Sequence, residues 1–308
     1  MPGAGPVGPD EHGGMTSGQP SPHLPDPAHP VDTAATGGGQ QPEAKSTVAA
    51  ELWYRSDPLL FGEELQARLA QEFPGASFSD GVALLPHAAH SFDINAASGV
   101  KTILLSTGVA VPRGPLSAAE ALAATPADQS WSWPDAEQQV PGCTHRILVT
   151  EVVASGFEPK PRVESFQRVL RLLAAETRPA AVRWLHNSHW RDPRELEAAH
   201  PLAGPVNMRF FLVSNDEGAM VVDSLGMYQL GLPDVQVHFR DKDPNQMVEL
   251  AFNVAAYLYE HGPVIESNSR LNGPDDLTFT ASWEDSLLPP LRTVIDLDPG
   301  PPYSAGSR

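Results

Sequence analysis

The pattern of apolar and polar positions between residues 206 and 262 predicts a hairpin, a strand and a helix. Two runs rich in β-forming residues, 208–214 and 219–225, flank a polar connector that contains Gly218. Glycine supplies the positive φ that short hairpin turns need, so the two runs predict an antiparallel hairpin. Residues 235–239 then alternate apolar and polar side chains, which is typical of a strand with one buried face.

A helix with clear ends follows this strand. Asp243 is suited to cap free amides, Pro244 suits the first helical position, and Gln246 has the spacing of a capping box. Gly262 and Pro263 should end the helix. Its apolar residues recur at the helical period and predict one buried stripe, formed by Met247, Leu250, Ala251, Val254 and Leu258.

The same patterns predict the other elements of the fold. Helices are expected at residues 65–73, 116–124, 163–177 and 194–200. Strands are expected at residues 82–85, 99–111, 145–154, 181–186, 264–267, 277–283 and 293–297.

The order of these elements predicts the fold class. Hairpins are mixed with strand-helix-strand units, which is typical of an α+β fold with a mostly antiparallel sheet and helices packed on one face. The order of elements is the same in residues 145–186 and 235–267, so two pseudo-repeated strand-helix-strand units are a further expectation. No repeat of individual residues accompanies it.

Composition limits the folded part of the chain. Residues 1–45 contain nine Pro, nine Gly, one Leu and no aromatic residue. Such a segment buries too little apolar surface to offset the entropy of ordering, so it should be a disordered tail. We expect a single α+β domain over residues 46–298 and a second disordered, polar tail over residues 299–308.

Charge and cysteine content bear on partners and location. The formal net charge is −18, of which the N-terminal tail contributes only −4. An acidic surface repels phosphate backbones and anionic lipid, which argues against nucleic-acid and membrane partners. The chain has one cysteine, Cys143, no apolar run of transmembrane length and no secretory signal pattern. We therefore expect a cytoplasmic protein.

The stretch WLHNSHW is the most polar and aromatic patch of the chain. It contains Trp184, His186, His189 and Trp190, and it is where a ligand or partner is expected if one exists. The two histidines have a spacing at which both imidazoles can reach one metal ion. The alternatives are histidines that form ordinary hydrogen bonds and a Trp184 that packs in the core.

Other candidate groups carry weaker signals. His87 and His90 repeat the histidine spacing, and no glutamate completes a metalloprotease motif at either pair. Asp223 and Asp234 could act as acid and base or hold a cation. The alternative interpretation is that both residues only form hydrogen bonds. Asp234 would then bond to its own turn, and Asp223 to neighbouring backbone amides.

Two tryptophans, Trp131 and Trp133, lie in a predicted loop. They could form a stacking platform for a ligand, but anchoring of the loop on the domain is the preferred interpretation. The motifs of serine hydrolases and of phosphate-binding glycine loops are absent from the sequence.

Residues 103–297 resemble the bacterial domain-of-unknown-function 4261 family. The resemblance rests on PRGPLSAAEAL after a strand, on the HRILVTEV strand, on DSLGMYQLGLPDVQVHF, and on the helix that ends in NVAAYLYEHG. It implies an α+β domain over this range. The family has no established activity, substrate or cofactor, so the resemblance transfers no catalytic residues.

Two functions of different classes are compatible with these sequence features. The first is a non-catalytic interaction or regulatory module that binds a protein partner and uses its N-terminal tail as a tether. The alternative is a metal-dependent hydrolase or other small-molecule enzyme that uses His186, His189 and a carboxylate from residues 223–234. No cofactor is expected, and both catalysis and oligomeric state are left open.

Overall fold

The computed structural model describes residues 47–58, 62–79, 82–96, 99–110, 117–152, 158–198, 200–214 and 216–306. The predicted N-terminal tail, residues 1–45, lies outside this part of the chain. The side chains of His87 and His90 lie outside it as well.

The first half of the described chain builds a seven-stranded antiparallel sheet. Its strands lie in the order β2-β3-β4-β5-β1-β6-β7. The elements are β1 (Ala49–Tyr54), α1 (Glu63–Glu72), β2 (Ser77–Ser79), β3 (Val82–Ala96), β4 (Gly99–Ala110), α2 (Ala118–Ala124), α3 (Ala136–Gln139), β5 (His145–Val152), α4 (Pro159–Thr177), β6 (Ala181–Trp184) and β7 (His189–Arg191).

The second half builds a six-stranded sheet in the order β11-β12-β13-β10-β9-β8. Neighbouring strands are antiparallel except β10 and β13, which are parallel. The elements are α5 (Glu195–Ala198), β8 (Asn207–Leu212), β9 (Ala219–Leu225), β10 (Asp234–Arg240), α6 (Pro244–His261), β11 (Arg270–Asn272), β12 (Thr278–Asp285) and β13 (Thr293–Asp298). The α+β fold with mostly antiparallel sheets is confirmed, with two sheets in place of the one that was expected.

The predicted hairpin, the Asp243 cap and the apolar stripe of α6 are confirmed, whereas Gln246 forms no capping box with Asp243. Strands β8 and β9 pair from Asn207 opposite Leu225 to Leu212 opposite Met220, which is the predicted hairpin. The Asp243 carboxylate accepts a hydrogen bond from the Asn245 amide at 2.9 Å and caps α6. All five residues of the predicted apolar stripe of α6 are buried.

Several expectations were wrong because neighbouring elements decided the outcome. Strand β1 was not predicted, yet it pairs with both β5 and β6 inside the first sheet. Residues 264–267 form no strand, so the second pseudo-repeated unit lacks its last element and the repeat stays a prediction. Strand β10 was expected to have one buried face, but six of its seven residues are buried.

Residues 299–306 do not form the disordered polar tail that was expected for the C-terminus. The Arg240 amide donates to the Tyr303 carbonyl at 2.9 Å, and Ala305 is buried. The Arg240 guanidinium also donates to the Ser304 carbonyl, at 3.2 Å. Residues 299–306 therefore pack against the end of β10, where buried partners offset the cost of ordering them.

One hydrophobic cluster runs through both sheets. It includes Val149 of β5, Leu170 of α4, Val237 of β10 and Val254 of α6. This continuity supports the prediction of a single domain, since separate domains would each enclose a core of their own.

A smaller second cluster lies on the other side of the first sheet. It contains Trp53, Trp133, Cys143 and Trp190. Trp133 anchors its loop there, as predicted, whereas Trp131 is 42% exposed and meets the Phe210 ring edge-on at 5.4 Å.

Gly226, directly after β9, provides a test of how closely the chain packs between the sheets. Its φ is +138°, and an added Cβ would lie 2.1 Å from the Pro205 carbonyl oxygen. Gly218 has a φ of +77° with nothing within 4 Å of such a Cβ. We expect Gly226→Ala to lower the free energy of unfolding by about 1–3 kcal/mol more than Gly218→Ala does. Urea unfolding of the two variants measures this difference, and equal losses would contradict the packing.

Candidate functional site

The six-stranded sheet has one apolar face and one polar face. Val222 and Val237 share a face with α6 in the main cluster. The opposite face carries Asp223 of β9, Asp234 and Gln236 of β10 and Asp296 of β13, and all four are fully buried. Polar side chains are seldom buried unless they are paired, so this face is where the structure departs most from an ordinary sheet.

Asp223 is held by two guanidinium groups. Arg209 on β8 donates from Nε to Oδ1 at 2.9 Å and from Nη2 to Oδ2 at 2.5 Å. Arg292 donates from Nη2 to the same Oδ2 at 2.6 Å. Asp223 therefore pairs with cations, and among the described residues no backbone amide donates to it, in contrast to the hydrogen-bonded alternative.

Asp234 shares Arg292 with Asp223. The Arg292 Nε donates to Oδ2 of Asp234 at 2.7 Å, and Oδ1 accepts from the Ser224 hydroxyl at 2.8 Å and from the Met227 amide at 3.0 Å. Burial raises the pKa of the Asp234 carboxyl, and the Arg292 cation, Ser224 and the Met227 amide oppose this effect. The bond to Met227 is the turn interaction expected for Asp234.

This pairing weakens the acid-base and cation interpretations of the two aspartates. The structure brings Asp223 and Asp234 together, but it places the Arg292 guanidinium between them. A metal ion would have to displace a bound cation. Each carboxylate also lacks the open side at which a substrate proton would be transferred.

The same arginine fixes the loop that joins β12 to β13. Arg292 Nη1 donates to the carbonyl oxygens of Leu288 and Pro290 at 3.1 and 2.9 Å, and Arg209 Nη1 donates to that of Pro289 at 2.9 Å. The Gln236 side chain accepts from the Leu287 amide at 2.8 Å. We call residues 286–291 the leucine loop. Its backbone accepts hydrogen bonds from buried side chains on the polar face of the sheet and donates hydrogen bonds to them.

The outer side of the leucine loop is apolar. Leu287 is 53% exposed and Leu291 is 76% exposed, and Pro289 and Pro290 between them are also exposed. Glu284 and Asp285, which precede the loop, are exposed as well. The buried charges thus support a surface of two leucines and two prolines beside acidic groups.

The stretch WLHNSHW lies mostly inside the protein. Trp184 is fully buried in the main cluster and packs at 5.7 Å from the Phe166 ring, while Trp190 is fully buried in the second cluster at 6.0 Å from Trp53. His189 is buried too. The expectation of a partner surface at this stretch is corrected, because side chains in the core offer no area to another protein.

The two histidines of this stretch bond to the protein itself. His186 Nε2 lies 2.9 Å from the Pro205 carbonyl oxygen, and His186 Nδ1 lies 3.4 Å from that of Ala49. His189 Nδ1 lies 2.8 Å from the Asn187 side-chain oxygen. Burial lowers the pKa of both imidazoles, that of His189 well below its ordinary value, so His189 is neutral at pH 7, whereas the carbonyl oxygens of Pro205 and Ala49 oppose the effect at His186.

The described residues contain no group of three or more His, Cys, Asp or Glu side chains that could hold a metal ion. The turn brings His186 and His189 near each other, but no carboxylate from residues 223–234 joins them. None of the described helices is long and apolar enough to cross a membrane.

One family of known proteins matches the region that carries the polar face. Residues 223–298 match the family model described as Domain of unknown function (DUF4261). The match confirms the later part of the resemblance expected over residues 103–297. It begins at Asp223 and includes Asp234 and Arg292, whereas Arg209 and the packed residues 299–306 lie outside it. No curated protein and no solved structure matches the chain.

Reasoning from the sequence misses the arginines of the site for a physical reason. Asp234, Gln236 and His238 alternate with apolar residues along β10, a pattern that is the same for a solvent-facing and for a covered polar face. Arg209 lies opposite Asp223 in the predicted hairpin, so that pair follows from the hairpin once its register is known. Arg292 lies 58 and 69 positions from the two aspartates, and only the assembled sheet brings it to them.

The role of Arg292 can be measured by removing its charge. We expect Arg292→Met to lower the free energy of unfolding by about 3–5 kcal/mol, because two buried carboxylates lose a shared cation. The exposed pair of Arg68 with Glu176 is the control, and Arg68→Met should cost no more than about 1 kcal/mol. Urea unfolding compares the two variants. Similar small losses would show that the buried network contributes little.

Proposed function

We propose that this chain is a non-catalytic protein-interaction module and that the leucine loop is its contact surface. The observation that carries the proposal is the contrast within this loop. Its backbone is fixed by buried Arg292, Arg209 and Gln236, while Leu287 and Leu291 are exposed. A surface that is rigid before binding loses little entropy when a partner docks.

The pairing of the buried charges supports a role without chemistry. Catalytic acids and bases need access to a substrate, and Asp223 and Asp234 are fully buried and bound to arginines. The network instead holds the loop that carries the exposed leucines. We therefore assign the polar face a supporting role in binding.

The chemistry around the loop indicates the kind of partner. Exposed Glu284 and Asp285 adjoin the leucines, and the whole chain carries a net charge of −18. A protein segment with apolar side chains flanked by lysine or arginine would complement this surface. Nucleic acid is a poor partner for so acidic a chain. We place the module in the cytoplasm, in keeping with its single buried cysteine.

Exposed leucines in two places allow a matched test. We expect Leu287→Ser/Leu291→Ser to weaken binding of a partner at least about tenfold, since fully burying a leucine side chain contributes about 1.5–3 kcal/mol. Leu212→Ser, at a leucine that is 75% exposed on β8, should leave the affinity unchanged.

The measurement has two stages. Cross-linked complexes of the wild type and both variants are compared by quantitative mass spectrometry, and a protein lost only with the double variant is purified and titrated. Equal binding by all three chains, or equal loss in both variants, would refute the leucine loop as the contact surface.

The alternative is a metal-dependent hydrolase that uses His186 and His189. The His186 nitrogens face two carbonyl oxygens, which does not favour it. We expect elemental analysis of tag-free protein to find no stoichiometric metal, and a chelator to leave the unfolding temperature unchanged. A metal lost together with stability would make the hydrolase the better proposal.

A further inference from the structure

Trp184 and His189 face each other across the two strands that end in the WLHNSHW turn. They are direct partners in the antiparallel pair β6–β7, so their side chains project from the same face of the sheet. Both are buried, at 0% and 2% exposure. Each has one buried polar atom, Trp184 Nε1 and His189 Nε2, without a hydrogen-bond partner among the described residues.

Neighbouring bonds determine which nitrogen of His189 carries the proton. The Asn187 side-chain nitrogen donates to the Gly204 carbonyl oxygen at 2.7 Å, which leaves its side-chain oxygen as the atom that faces His189 Nδ1 at 2.8 Å. That oxygen only accepts, so Nδ1 must donate. In a neutral imidazole Nε2 is then unprotonated and acts as an acceptor.

Trp184 provides the opposite role. The indole Nε1 is a donor only. It lies 2.8 Å from the point where a Cβ on Gly204 would stand, and Gly204 has a φ of +119°. The absence of a Cβ at this position therefore lets the indole pack directly against the Gly204 backbone.

These contacts close a small ring. Trp184 touches Gly204, Gly204 accepts from Asn187, and Asn187 accepts from His189, which is paired with Trp184 across the strands. The two buried atoms of these residues that lack a partner among the described residues are one donor and one acceptor.

We infer that this ring is a binding site for one ordered internal water molecule. The water oxygen accepts from Trp184 Nε1, and one of its hydrogens is donated to His189 Nε2. Water has both roles and is small enough to be enclosed between buried side chains. A metal cation could use the lone pair of His189, but it would leave the indole N–H without an acceptor, whereas a water molecule satisfies both atoms.

The site also connects the two halves of the fold. The Asn207 side chain at the start of β8 donates to the Asn187 carbonyl at 3.2 Å, and His186 bonds to Pro205. The water would thus lie within the polar contacts that join the β6–β7 turn to residues 204–207.

Nuclear magnetic resonance on the full, unmodified chain tests the inference. With ¹⁵N-labelled histidine and tryptophan at pH 7, we expect His189 to be protonated on Nδ1 only. The Trp184 indole proton should show a cross-peak to a long-lived water. The Trp190 indole, which donates to the Thr125 carbonyl at 2.7 Å, is the internal control and should show none.

Each outcome of this experiment either supports or overturns the inferred water site. A proton on His189 Nε2, or a Trp184 indole without a water cross-peak, overturns the inference. So does a His189 Nε2 shift typical of metal coordination that disappears with a chelator. The same experiment on His189→Leu, which removes the acceptor, should reduce the Trp184 cross-peak, and the assignment does not depend on that variant being stable.

Discussion

The second half of this protein depends on one buried cation. Arg292 binds Asp223 and Asp234 on the covered face of the six-stranded sheet and, with the same side chain, two carbonyl groups of the leucine loop. Removing charges from water is costly, and the cost is offset only when every charge has partners with good geometry. Arg209, Ser224 and the Met227 amide supply the remaining partners. The shape of the exposed loop therefore follows from a pairing beneath it.

A second set of polar contacts joins the two sheets. Arg162 on α4 pairs with Glu151 on β5 at 2.7 Å and also donates to the Gln229 carbonyl, in the turn between β9 and β10, at 3.0 Å. All of these groups are buried, so the contact has a defined geometry in surroundings that are otherwise apolar. The continuous core and this arginine together fix how the halves meet.

The same short segment covers one edge of each sheet, at β8 and at β7. The Gln129 side chain donates to the Phe210 carbonyl at 3.2 Å and accepts from the Phe210 amide at 3.1 Å, as a neighbouring strand would. The next residue, Ser130, accepts from the Trp190 amide of β7 at 2.9 Å. Unpaired strand edges promote aggregation, and side-chain pairing of this kind protects them. It also leaves the leucine loop as a more open contact surface than either of these two edges.

The amino-acid sequence by itself determined the elements whose causes are local. The 208–225 hairpin follows from alternation and a turn glycine, and α6 follows from its Asp243 cap, its proline and its apolar stripe. Tertiary structure decided what depends on distant partners. Strand β1 is defined by β5 and β6, and residues 299–306 are ordered by Arg240. Asp223 shares an arginine with Asp234 that lies 69 positions away from it. The WLHNSHW histidines looked like ligands because spacing is visible in a sequence, whereas the packing that gives them partners within the protein arises only when the sheets close.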